Sequence, residues 1–332
     1  GALAVGLAIA LTSGASEAQG STSTYLPLVG RNLPIDVGYP GWTSPFGVVM
    51  YSGISDAAGL TRMQEAGASW VVTGFHWAQV EPTNGERDWS RYDAQFLAAK
   101  RAGMDVAVLV LDVPVWARGT CTNSGGCPEM NIDALVRFLG AAAERYDGDG
   151  NADAPGSPVV KYWTLFAEPD YCGVLVGGKC TVRAGYGEDF KGLWGLNGTA
   201  YASMLAAAKV AIGAASPNAV VMNGGVAFDW FIQSSYNSAP GIYDRDFLAG
   251  VAAWPGGPRM DALAVHYYPI TMGDWGQKLS QLYGTVNDAG SQAQLRALPV
   301  ISPEMGYWSS GVSDESQQAR RLVQMFVRGL AN

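Results

Sequence analysis

The sequence predicts an α/β fold, a (β/α)8 TIM barrel whose eighth unit is missing from this chain. Three observations predict it. Seven nearly continuous apolar runs alternate with stretches of helical length and spacing. Runs that are apolar throughout suit parallel strands covered by helices. Residues fit for chemistry recur at the C-terminal ends of the runs, at Asp112, Glu168, His266 and Glu304, where a barrel builds its mouth. The rival is an open doubly wound sheet, which would carry a glycine-rich phosphate loop after its first strand. The stretch found there, YSGISDAAG, is a poor match.

The elements follow in order. FGVVMY (46–51) is the first expected strand and Asp56–Ala68 the first helix. WVVTGFHW (70–77) precedes a helix over Trp89–Ala102 that Gly103 closes. DVAVLVLDVP (105–114) leads to a helix over Asn131–Tyr146. VVKYWTLFAEPD (159–170) is the fourth strand, its ladder ended by Pro169, which has no N–H to give. An Ala-rich helix follows over Thr199–Ala215, then the strand NAVVMNGG (218–225) and a helix near Arg245–Ala253. DALAVHYYP (261–269) precedes a helix near Trp275–Asn287. PVISPEMG (299–306) is the seventh strand, and Glu315–Leu330 the last helix.

Composition narrows the function. Hydrophobic residues make up 48% and charged residues only 15%, enough apolar material for a large core. A net charge of −8 argues against nucleic acid or an anionic membrane surface as partner. Two histidines weigh against a multi-histidine zinc site, and no cofactor is expected for catalysis. Residues 1–18 have the apolar run and small-residue tail of a signal peptide remnant, with Ser16 and Ala18 placed for a cut after Ala18. Residues 19–43, rich in Ser, Gly and Pro, make a linker or N-terminal arm. Residues 44–332 make one barrel domain, C-terminally incomplete. Apart from the export signal no stretch is long and apolar enough to span a bilayer, so a secreted or extracytoplasmic protein is expected. Its four cysteines fall as local pairs, Cys121/Cys127 and Cys172/Cys180. In a secreted chain each pair reads as a loop disulfide, although connectivity is open.

Glu168 sits where a buried strand opens into a loop, and burial there would raise its pKa and suit it to donate a proton. Glu304 ends the seventh strand, which in a barrel faces the fourth across the mouth. Two facing carboxylates meet the requirement for cleaving a glycosidic bond: one protonates the leaving oxygen, the other attacks or activates water. Trp77, Trp116, Trp230 and Trp308 all follow strands, where their faces could stack on sugar rings or pack in the core. His76 reads as an ordinary polar residue near a strand end. Asp112 either touches substrate or satisfies loop N–H groups.

Together, WAQVEPTNGERDWSRYDAQFLAAKRAG (77–103), LDVPVWA (111–117), FAEPD (166–170), HYY (266–268) and SPEMGYW (302–308) resemble the clan A glycoside hydrolases, most nearly the β-xylosidase-like family 39 and the cellulase-like family 5. The resemblance implies β-glycoside hydrolysis with retention, on an oligo- or polysaccharide or a glycoside. It implies Glu168 as acid/base, Glu304 as nucleophile, Tyr268 hydrogen-bonded to the nucleophile and His266 lining the pocket. Asp112, Trp116 and Trp308 are the further expected substrate contacts. Two departures stand out. Ala167 replaces the usual Asn that binds the sugar 2-hydroxyl, and Val72 and Thr73 stand where an arginine is often found. These gaps motivate an alternative, a catalytically impaired carbohydrate-binding protein on the same barrel.

One motif lies elsewhere. DGDGNAD (147–153) spaces Asp147, Asp149, Asn151 and Asp153 alternately, as calcium loops offer oxygens to a hard cation. It lacks the glycine and closing Glu of an EF-hand, and a solvated turn is the other reading. The loop joins the third helix to the fourth strand, on the face away from the mouth, so a calcium ion there would be structural.

Overall fold

Val-rich runs buried on both faces pair in chain order. The computed structural model describes residues 44–121, 125–170, 174–176, 179–181, 194, 197–226, 245–267, 282–284, 289–306 and 315–331. The expected signal remnant and arm, Trp230, Tyr268, Trp308 and Cys172 lie outside them. Strands β1 (Gly47–Val49), β2 (Trp70–His76), β3 (Asp105–Leu111) and β4 (Val160–Leu165) are parallel neighbours. A short hairpin, β5 (Val174–Val176) with β6 (Lys179–Thr181), interrupts the sequence, and β7 (Val220–Asn223) then joins β4. β8 (Leu263–Tyr267) pairs in parallel with β9 (Val300–Met305).

The helices are α1 (Leu60–Glu65), α2 (Trp77–Val80), α3 (Ser90–Arg101), α4 (Ile132–Arg145), α5 (Gly198–Ala215), α6 (Arg245–Ala252), α7 (Ala289–Arg296) and α8 (Glu315–Ala331). α4 shows why these segments are helical. The Asn131 side chain caps it by accepting from Ala134 N at 3.0 Å, and Ala134, Leu135, Phe138, Leu139, Ala142 and Ala143 bury one stripe. Phe138, fully buried, contributes about 1.5–3 kcal/mol by leaving water.

The step from β7 to β8 is reinforced by a side chain. Single parallel bridges join Met222 to Ala262 and Val226 to Val265. Between them the Asn223 amide donates to Ala264 O at 2.8 Å and accepts from Ala264 N at 2.7 Å. Asn223 is 2% exposed; its amide serves the buried Ala264 N, while Ala264 O also accepts from Val226 N at 3.1 Å. The result is a curved parallel wall of seven strands. Its inner face is a separate apolar cluster drawn from all seven: Val49, Trp70, Val72, Ala107, Tyr162, Val220, Met222, Ala262, Ala264 and Ile301. A side-chain-filled lumen of this kind belongs to a barrel. The larger cluster lies between strands and helices.

The sequence-based elements need two corrections, and one expected helix is largely untested. The helix expected over Asp56–Ala68 is a 3-10 turn over Asp56–Ala58 and then α1, divided at Gly59, whose φ of 95° is left-handed. The helix expected near Trp275–Asn287 falls largely outside the described residues, its described part (282–284) is helical, and the separate helix α7 follows it, burying Ser291 and Leu295 one turn apart. The hairpin β5–β6 and the short helix α2 were not expected at all.

Candidate active site

The end of β4 is held in an uncommon shape. Phe166 and Glu168 both take left-handed backbone angles, φ 60° and 46°, which cost free energy unless the surroundings fix them. Phe166 N donates to Val110 O and Glu168 N to Gly224 O, each at 3.0 Å. Gly224 is required there, because a Cβ on it would lie 1.3 Å from Phe166 O. The buried Tyr201 hydroxyl donates to Leu165 O at 2.7 Å and accepts from Gly224 N at 2.9 Å. Burial above all holds the Tyr201 pKa above the usual phenol range. These bonds put the Glu168 carboxyl at the mouth with 32% of its side chain exposed, so the burial expected at this strand end is partial.

Glu304 is aimed by a bulge. Ala264 pairs with Ile301 but His266 with Glu304, so β9 spends one residue more than β8 between the two pairs. Inward-facing residues alternate along a strand, and the extra residue turns Glu304 to the same side as His266. Pro303, which has no N–H, sits in this bulge. His266 is 2% exposed, its ring packed against Gly225, where a Cβ would lie 2.1 Å from Nε2. Its Nδ1 is 3.0 Å from Glu168 Oε1 and 3.9 Å from Glu304 Oε2. One imidazole nitrogen therefore faces both carboxylates, and the two oxygens nearest it lie within about 7 Å of each other.

Two residues of this mouth were missed or undervalued. The Tyr51 hydroxyl, from just beyond β1, donates to Glu304 Oε2. Burial, then the charge and hydrogen bond of Glu304, then the charge of Glu168, hold its pKa well above the usual phenol range. The residue as a whole keeps 45% of its surface open, so the burial concentrates at the hydroxyl end. His76 is the other. Its Nδ1 lies 2.5 Å from Asp112 Oδ2, with side-chain exposures of 26% and 39%. Asp112 thus has a side-chain partner rather than serving only loop N–H groups. Period-two counting was the signal for both, since Val49 and Val72 face the lumen and residues 51 and 76 share their parity.

Trp116 lies half-buried at the mouth; its Nε1–H donates to Glu81 O at 3.0 Å and its ring meets Trp77 edge-to-face at 5.7 Å. Trp77 is fully buried and is core. No arginine substitute comes from the second strand: Val72 lines the lumen and the Thr73 hydroxyl donates to Met50 O. The Cys121–Cys127 disulfide is formed, with Cα atoms 5.8 Å apart. It closes a loop in which Gly126 packs against the Phe166 and Trp194 rings, behind the Glu168 turn. The Cys172–Cys180 pairing lies outside the described side chains. Among the described residues no helix is long and apolar enough to cross a membrane.

On the opposite face, Asp147, Asp149 and Asp153 bring carboxylate oxygens within 4.8 Å of one another. The Asn151 amide nitrogen turns to Glu144 Oε1 at 2.6 Å. Asp153 Oδ1 is buried with no hydrogen-bond partner. Burial first, and the neighbouring Asp149 and Asp153, raise the Asp147 pKa. Converging oxygens with one orphan atom fit a hard cation.

The fold has solved counterparts. A family 39 glycoside hydrolase from the gut symbiont Bacteroides cellulosilyticus WH2 superposes with a TM-score of 0.55 at 16% identity, over 85% of this chain and 52% of that one. A glucosidase from Croceicoccus marinus gives 0.53 at 13%, over 83% and 55%. The xylanase 10B of Thermotoga maritima gives 0.51 at 14%, over 86% and 78%. The chain thus spans about half the length of the first two. The structural neighbours are clan A glycoside hydrolases, and the fold is a partial (β/α) barrel of their kind. No protein-family model and no curated protein sequence matches the chain.

Proposed function

We propose that the protein is a secreted glycoside hydrolase that cleaves β-linked sugars with retention, on an oligo- or polysaccharide or a smaller glycoside. One observation carries the reading: carboxylates from the ends of β4 and β9 converge on a single buried histidine nitrogen. In the first step Glu304 forms a bond to the anomeric carbon as the bond from that carbon to the leaving oxygen breaks. Glu168 gives its proton to that oxygen. In the second step water attacks the same carbon, Glu168 takes the water proton, and Glu304 leaves as a carboxylate. His266 Nδ1 lies 3.0 Å from Glu168 Oε1; in the tautomer that carries its proton on Nδ1 it donates there, which leaves Glu168 Oε2 to carry the transferred proton.

The His76–Asp112 pair and Trp116 line the approach and are assigned to sugar hydroxyls and a sugar face. The Ala167 methyl offers the 2-hydroxyl no hydrogen bond, and such bonds are worth several kcal/mol in the transition state. That absence favours the second reading, a carbohydrate-binding protein with little turnover. Export accords with the formed Cys121–Cys127 disulfide. A structural calcium ion at Asp147, Asp149 and Asp153 belongs to the same proposal, far from the chemistry.

Hydrolysis of a panel of aryl β-glycosides by the wild type and its Glu304→Ala variant separates the two. The enzyme reading expects turnover of at least one sugar, lost by a factor of about 10⁴ or more in the variant. Saccharide binding that survives the substitution, with no turnover beforehand, supports the binding protein.

A further inference from the structure

We infer that Tyr51 is the positioning residue of the nucleophile: its hydroxyl holds Glu304 Oε2 and assigns the attack on the anomeric carbon to Oε1. The inference rests on the glycosidase reading above.

β1 is the first strand of the wall and β9 the last. Val49 points into the lumen, so Tyr51, two residues further on, points into the mouth above it. From there its hydroxyl reaches across to Glu304 on β9. The direction of the bond follows from the partners. A carboxylate has nothing to donate, and the phenol keeps its proton because burial and two carboxylates oppose its ionisation.

Among the described residues, the groups that face Glu304 from the packed elements include the Tyr51 hydroxyl from β1, His266 Nδ1 from β8 at 3.9 Å, and the Glu168 carboxyl from the end of β4. Tyr51 is the one within hydrogen-bond reach of Glu304 Oε2. Once Oε1 bonds to the sugar, Oε2 becomes the carbonyl oxygen of the ester, still facing the same hydroxyl. The donor then stabilises the carboxylate as it re-forms in the second step.

The test is a ¹³C-carboxyl titration of Glu304 in the full chain, with Glu304→Gln identifying its resonance. A donor to the charged form holds the proton affinity down, so Tyr51→Phe should raise the Glu304 midpoint by about one unit. On whichever aryl glycoside the panel identifies, kcat should fall about tenfold or more and the acid limb of kcat/KM should move up with the midpoint. A purely structural role would move neither limb nor midpoint. The reciprocal measurement needs no Tyr51 variant: removing the charge in Glu304→Gln should bring the Tyr51 phenol down toward its usual range by ultraviolet titration. An unchanged Glu304 midpoint in folded Tyr51→Phe, or an unchanged phenol in Glu304→Gln, overturns the inference. If the wild type cleaves no glycoside, the hydrolase reading fails separately, while the two titrations still decide the contact.

Discussion

Glu168 depends on a backbone that few residues adopt, and the atoms that enforce it belong to other elements. The Tyr201 hydroxyl serves Leu165 O and Gly224 N at once. Tyr201→Phe removes both bonds while keeping the ring in its fully buried site. Leaving buried polar groups unpaired costs about 1–3 kcal/mol, so the urea midpoint should fall by that free energy at unchanged slope. A variant within experimental error of the wild type would show that this hydroxyl does not brace the turn. At this scale the sequence was legible where chemistry marks a motif, as in FAEPD and SPEMGYW. Tyr51 and His76 were legible too, by strand parity, but carry no motif of their own. Gly224 and Gly225 could not be read: their need for a missing side chain comes from Phe166 O and the His266 ring, distant in sequence.

Among the elements, the loop between α4 and β4 makes its own prediction. Asp147 has a raised pKa in the folded chain, so the folded state binds a proton more tightly than the unfolded one. Stability from this group is present at low pH and is lost as pH rises through the raised folded value. A bound calcium ion would relieve the repulsion at neutral pH. Thermal unfolding near pH 7 should therefore show a higher Tm with millimolar calcium than with a chelator, and Asp153→Asn should erase the difference. Equal Tm values in calcium and chelator would make the loop a solvated turn. The helix and strand elements themselves were largely legible, because a two-sided apolar strand and a capped amphipathic helix are local patterns. The β9 bulge and the Asn223 bridge were not. Both are properties of register between strands, which no single segment encodes.

Across the whole molecule, the alternation of strands and helices sufficed to assign the barrel, and the inner ring of ten residues from seven strands bears that out. The pairing of the fourth and seventh strands across the mouth followed from the same topology, which is why both glutamates could be named before their distances were known. The same topology placed His266 at the mouth, but not its Nδ1 within 3.0 Å of Glu168 and 3.9 Å of Glu304. The central claim is a covalent double displacement through Glu304, and the most direct measurement is trapping. The protein is incubated with a 2-deoxy-2-fluoro analogue of the sugar found on the panel, bearing an activated leaving group, then digested, and its peptides weighed. The account predicts one fluorosugar per chain, on the peptide that carries Glu304, with labelling abolished in Glu304→Gln. Turnover of the parent glycoside with no stable adduct, or an adduct on another residue, would contradict it.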